Sequence, residues 1–143
     1  MPSPLSRIDA ELRAALRDGT TTSRHAAVVT LLQQAYAGAL TLQNIGPADE
    51  FAAALYAAQA CRDTLSALDE PVPPATPDGP EKQTSTDARP ELLADTIAEI
   101  GLLIRLALLD LAAAEPDPSR RLALLTAAVP VVRLHHLMQI VRP

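Results

Sequence analysis

Two consecutive segments of this chain carry apolar side chains at alternating steps of three and four residues. That spacing is typical of helices that pack along a coiled-coil-like seam. Gly46 and Pro47 separate the segments, and they suit the end of one helix and the first turn of the next. The pattern predicts an antiparallel helical hairpin over residues 23–44 and 47–68, with Thr22 and Ser23 as candidate caps of its first helix. The seams are Val28, Leu32, Ala35, Ala39, Leu42 and then Phe51, Ala54, Ala58, Cys61, Leu65, Leu68.

The rest of the sequence adds three predicted helices, over residues 4–18, 90–114 and 118–141. These bounds are supported by the proline, serine or aspartate at the start of each helix. They are also supported by the glycine or proline that follows the first and second of the three. Pro130 lies inside the last helix, where it is expected to produce a kink because it removes one backbone hydrogen bond.

A proline-rich segment separates the third predicted helix from the fourth. Residues 70–89 are rich in proline, serine, threonine and acidic residues and lack an apolar period, which predicts a disordered linker. The alternative is a recognition peptide, since residues 71–74 have a PxxP pattern. We therefore predict a single all-α domain over residues 1–143, with about five helices in an antiparallel bundle and this linker inside it.

The composition supports a helical core and an acidic surface. Apolar residues make up 48% of the chain and aromatic residues only 2%, so alanine and leucine, both good helix formers, must fill the core. A single lysine against eleven arginines is typical of a high-GC bacterial genome. The net charge of −5 argues against partners such as nucleic acid or an anionic membrane surface.

The lone cysteine and the apolar runs predict a cytoplasmic protein without a membrane span. Cys61 has no partner for an intrachain disulfide and falls in an alanine-rich seam, so it is expected to be a small core residue. The N-terminus lacks the apolar core of a secretory signal. The stretch 97–109 is well short of the roughly 20 apolar residues that a membrane span needs.

The fourth and fifth predicted helices carry more apolar residues than one buried face requires. Leucine, isoleucine and valine point in nearly every direction, and a helix that is apolar all round is buried all round. A homodimer through these two helices accounts for the surplus, and the alternative is a central hairpin wrapped by the other three helices. The second helix is unusual too, because no charged residue occurs between Arg24 and Asp49. Neutral polar groups suit a contact surface, although an ordinary surface gives the same pattern.

Candidate catalytic residues are few. His135 and His136 are adjacent and point about 100° apart on a helix, so one metal ion does not readily bind both, and no metal or cofactor is expected. His136 shares a helix side with apolar residues and is predicted to be the more buried of the two. Arg105, alone in an apolar surround, is expected to need a carboxylate or an anionic ligand. Glu99 belongs to a possible carboxylate pair with Asp95, although a solvated acidic stripe explains that pair as well.

The sequence contains no complete catalytic, nucleotide-binding or metal-binding motif. The leading hypothesis is a protein–protein interaction module: a dimerising helical bundle that serves as an accessory or regulatory subunit. The alternative is a small helical enzyme or a carrier for an apolar molecule, with a pocket between the fourth and fifth helices and His136, Arg105 and Glu99 as its polar groups.

Overall fold

A computed structural model of the protein describes residues 10–45, 51–71 and 90–141. These ranges contain five α-helices and no strand, which confirms the predicted all-α bundle. The predicted helical residues 4–9 and 47–50 and most of the predicted linker lie outside the described residues. The helices are α1 (Ala10–Asp18), α2 (Thr21–Ile45), α3 (Phe51–Ala67), α4 (Pro90–Ala114) and α5 (Pro118–Val141). The last of these runs without interruption through Pro130.

Helices α2 to α5 form a four-helix bundle in which every neighbouring pair is antiparallel. Helix α2 packs against α3 and α4, and α5 packs against the same two helices from the opposite corner. The first turns of α2 and α5 lie at the same end of the bundle as the last turns of α3 and α4. Helix α4 therefore begins at the end opposite to that where α3 ends, so the chain makes one long crossover between them. Helix α1 lies against α2 and α4.

Small side chains bring α4 and α5 close together. Gly101 is buried in α4, and a Cβ atom at this position would lie 3.0 Å from the Cβ of Leu134 in α5. Small residues at a helix contact allow the two axes to approach toward the low end of the usual range of about 8–10 Å. The larger core side chains are Leu31, Leu32, Leu42, Leu65, Ile97, Ile100, Ile104, Leu108, Leu134 and Met138.

The start of α2 is capped by a residue other than those predicted. The sequence suggested Thr22 and Ser23 as caps, but the helix begins at Thr21 and Thr20 takes the N-cap position. The backbone N–H of Ser23 donates a hydrogen bond of 3.1 Å to Oγ1 of Thr20, which satisfies one of the free donors of the first turn. Arg24 adds a link to α1 by donating to the backbone oxygen of Arg17 at 3.1 Å.

The end of α3 is a Schellman motif with a non-glycine residue at its centre. Asp69 has a φ of 60°, in the left-handed region that normally favours glycine. The N–H of Glu70 donates to the carbonyl of Leu65 at 2.9 Å, and the N–H of Asp69 donates to that of Ser66 at 3.0 Å. The motif turns the chain sharply and places both acidic residues at the end of the bundle.

The seam of α3 contains the single cysteine, which behaves as a core residue. Cys61 has no exposed surface, and burial raises the pKa of its thiol to about 12. A thiol with this pKa is protonated at neutral pH and is a poor nucleophile. The prediction that Cys61 is a small core residue is confirmed.

Candidate functional site

Large apolar side chains are exposed along the outer side of the α4 and α5 pair. They recur at steps of three or four residues on each helix, so on each helix they form one continuous stripe rather than scattered exceptions. Exposed fractions reach 56% at Leu106, 61% at Val129 and 65% at Leu122. We call this surface the outer stripe. It consists of Leu102, Leu106 and Leu109 on α4, and Leu122, Leu125, Val129 and Val132 on α5.

The two halves of the outer stripe lie beside one another. Leu102 and Val132 line the same groove between the two helices, so these residues stand at about the same height. Because the helices are antiparallel with the same rise per residue, counting seven residues up α4 and seven down α5 brings Leu109 level with Leu125. Leu106 and Val129 fall between these levels. The apolar surface is therefore a continuous patch across both helices.

A small groove with three nitrogen-bearing side chains lies at one end of the outer stripe. Its volume is about 260 Å³, and its rim is open to solvent because Arg105 and His136 are both exposed. We call it the α4–α5 groove. Its lining residues are Gly101, Leu102, Arg105, Val131, Val132, His135 and His136.

The prediction that His136 is the more buried histidine is wrong. His136 is exposed, whereas His135 is half-buried and its Nδ1 atom is enclosed without a hydrogen-bond partner among the described residues. The two rings meet edge to face with centroids 5.9 Å apart. The sequence grouped His136 correctly with Val129 and Val132, but that side of α5 faces outward. A helix that is apolar all round gives no signal about which of its sides is inside.

The three candidate catalytic residues do not form one site. Arg105 and His136 share the α4–α5 groove, as the alternative hypothesis requires. Glu99 lies elsewhere on α4, where its carboxylate pairs with the guanidinium of Arg13 from α1. Arg105 has no carboxylate partner among the described residues, although the sequence led us to expect one. Its side chain is exposed, so water solvates the charge and no ion pair is required. The groove therefore has donors for an anion but lacks an acid–base pair of carboxylates.

The exposed face of α2 carries no charge, as the sequence indicated. Beyond Arg24 its exposed residues are alanine, threonine, glutamine, asparagine and Ile45, and Thr41 donates its hydroxyl to the carbonyl of Ala37 at 3.0 Å. A second apolar cluster lies at the start of α3, where Phe51, Leu55 and Tyr56 are about half exposed. It is smaller than the outer stripe because it occupies about one and a half turns of one helix.

A larger concave region lies at the end of the bundle and was not anticipated from the sequence. It has a volume of about 550 Å³ and receives residues from α2, α4 and α5 and from the end of α3. His25 lines it, and its Nε2 atom lies 3.0 Å from Oε2 of Glu70. We call it the bundle-end cavity. Sequence patterns do not reveal it, because its polar residues come from four separate segments that only the fold brings together.

The described part of the chain contains one segment that is long and apolar enough to cross a membrane by length and composition. It is Pro118–Gln139 in α5, and 39% of its most apolar window is buried inside the bundle. A single segment of this kind is weak evidence, because the core helix of a soluble protein passes the same test. The prediction that no span exists was based on 97–109 and overlooked this longer segment.

No group of three or more histidine, cysteine, aspartate or glutamate residues within the described ranges is arranged to hold a metal ion. Comparisons with protein-family models, curated proteins and solved structures find no match to this chain.

Proposed function

We propose that this chain is a protein–protein interaction module that forms a homodimer through α4 and α5 and serves as an accessory or regulatory subunit. The observation that carries the proposal is the outer stripe, whose seven large apolar side chains are all more than a third exposed. Leaving such a continuous surface in water is unfavourable, and a second copy of the same surface covers it. A cytoplasmic location suits a module whose only cysteine is a buried thiol.

The size of the surface suits a stable dimer. Helix α4 has 25 residues, which corresponds to a length of roughly 37 Å. Two neighbouring helices about 10 Å apart present a face roughly 20 Å wide, so the outer side of the pair offers about 740 Å² per copy. A standard stable interface buries about 800 Å² per partner. The outer stripe would form the apolar centre of this interface.

The surroundings of the outer stripe resemble the rim of an interface. Arg105, Asp110 and Arg133 are exposed beside it, and polar or charged groups of this kind commonly surround an apolar interface centre. In a symmetric dimer, the α4–α5 groove offers a recess for a side chain of the partner.

The test compares two leucine substitutions in matched surroundings. Leu106 in the outer stripe is 56% exposed and Leu55 on α3 is 46% exposed, so replacing either by glutamate should leave the bundle folded. Leu106→Glu places two charges in the centre of a symmetric interface, and we expect sedimentation velocity to show a monomer. Leu55→Glu should sediment as the unchanged protein does. Equal behaviour of the two variants would contradict the proposal.

The alternative function, a small helical enzyme or carrier for an apolar molecule, has one observation in its favour. Arg105 and His136 line the same groove between α4 and α5. The groove is open and, at about 260 Å³, lies below the roughly 300–1,000 Å³ usual for small-molecule sites. A thermal-shift screen with apolar metabolites separates the two functions. A rise in melting temperature that Arg105→Gln abolishes would favour the carrier.

A further inference from the structure

The bundle-end cavity has the size and position of a ligand site. At about 550 Å³, it falls within the range of roughly 300–1,000 Å³ that small-molecule sites occupy. Each of the four bundle helices or its terminal turn contributes to the lining. It lies at the end of the bundle, and a ligand could bind there whether or not the protein forms the dimer proposed above.

The floor of the cavity is apolar. Leu68, Leu111, Ala123 and Leu124 line it, and Leu111 and Leu124 belong to the buried core. These side chains lie where the four helices end. A ligand that places a hydrocarbon group on this floor would extend the core of the bundle.

Positive charge reaches the rim at the start of α5. The guanidinium of Arg120 lies in the first turn of this helix and has no ion pair among the described residues. Asp117 caps the same turn by accepting a hydrogen bond of 3.2 Å from the backbone N–H of Arg120. The start of α2 lies at the diagonally opposite corner of the bundle, and the imidazole of His25 there already faces Glu70 at 3.0 Å. Arg120 is therefore the group on the rim that suits a carboxylate.

Negative charge reaches the rim at the two corners that flank α5. Helices α3 and α4 end at these corners, and Asp69 and Glu115 bring carboxylates to the lining. The side chain of Arg121 already neutralises the end of α4 by donating two hydrogen bonds to the carbonyl of Glu115, at 2.8 and 3.1 Å. The carboxylate of Asp69 remains exposed, because only the backbone of this residue takes part in the Schellman motif. The corner of Asp69 therefore suits an ammonium group.

We propose that the bundle-end cavity binds a free apolar α-amino acid. Its carboxylate would bind Arg120 at the start of α5, and its ammonium group would face Asp69 and Glu115 at the ends of the two neighbouring helices. Its hydrocarbon side chain would lie on the floor formed by Leu111 and Leu124. A zwitterion with an apolar side chain is the ligand class that matches all three parts of the cavity.

Four related probes test the three contacts separately. L-leucine carries all three groups, N-acetyl-L-leucine lacks the ammonium group, isopentylamine lacks the carboxylate, and glycine lacks the side chain. We expect added L-leucine to shift the signals of amides around the cavity in ¹H–¹⁵N correlation spectra of the full chain. Each of the other three probes should bind at least tenfold more weakly. The absence of any shift with L-leucine at about 10 mM, a concentration that detects even millimolar binding, would overturn the proposal. Equal binding of N-acetyl-L-leucine or isopentylamine would overturn it as well.

Matched substitutions then locate the site. Arg120→Gln and Asp69→Asn remove one charge each from neighbouring corners of the rim, and each should weaken L-leucine binding at least tenfold. Arg133→Gln removes a charge from an exposed position of the same helix, about 20 Å away along its axis, and should leave binding unchanged. Circular dichroism shows whether each variant is folded. Weaker binding by Arg133→Gln, or unchanged binding by both folded rim variants, would contradict the assignment.

Discussion

Alkaline pH should destabilise the protein through its buried cysteine. Burial raises the pKa of Cys61 from its ordinary value of 9.0 to about 12. Between these values the unfolded chain has lost the thiol proton and the folded chain has kept it, so unfolding becomes more favourable as the pH rises. The slope approaches about 1.4 kcal/mol per pH unit, and the free energy of unfolding should therefore fall by about 2 kcal/mol between pH 9 and pH 11. Below pH 9 the full stability is present.

The Cys61→Ala variant isolates this contribution. Removing a sulfur atom from the packed interior should make the variant less stable than the original at pH 7, by about 1 kcal/mol. At pH 11 the order should reverse, because only the original protein carries the alkaline penalty. Urea unfolding at several pH values measures both curves, and their difference removes the titration of all other groups. Parallel curves from pH 7 to pH 11 would refute the reasoning, as would rapid labelling of the native thiol at pH 8.

Substitutions at three further positions test local features of the fold by urea unfolding. Asp69→Gly should stabilise the protein by about 0.5–1 kcal/mol because glycine adopts the left-handed conformation without strain, and Asp69→Asn, which removes only the charge, should stabilise it less. Gly101→Val should destabilise it by about 1–3 kcal/mol, since the new side chain meets Leu134; a neutral result would show that α4 and α5 pack more loosely. Thr20→Ala should cost about 1 kcal/mol through loss of the N-cap, while Thr20→Ser should retain most of the stability.

Much of the fold was predictable because the helix signals are local. The seams with Val28 and Cys61 placed α2 and α3, and the proline residues at 90 and 118 marked the starts of α4 and α5. The N-cap of α2 was misplaced because Thr20, Thr21 and Thr22 are chemically equivalent, and only the backbone geometry selects one of them.

The candidate sites were less predictable because they depend on how helices are rotated and arranged. An excess of apolar residues on α4 and α5 was evident, and Arg105 and His136 were correctly placed on a common groove. The sequence did not show that this groove faces outward, so His136 was predicted to be the more buried histidine. Glu99 was assigned to the same site because its pairing with Arg13 of α1 depends on tertiary structure. The bundle-end cavity has no sequence signal at all.

The mass of the protein in solution tests the central claim most directly. Multi-angle light scattering of the unmodified chain, measured during size-exclusion chromatography at micromolar concentration, reports the mass independently of shape. The chain mass is 15.1 kDa, and the proposed dimer predicts twice this value, about 30 kDa. A mass of 15.1 kDa at every concentration tested would contradict the homodimer and leave the exposed outer stripe unexplained.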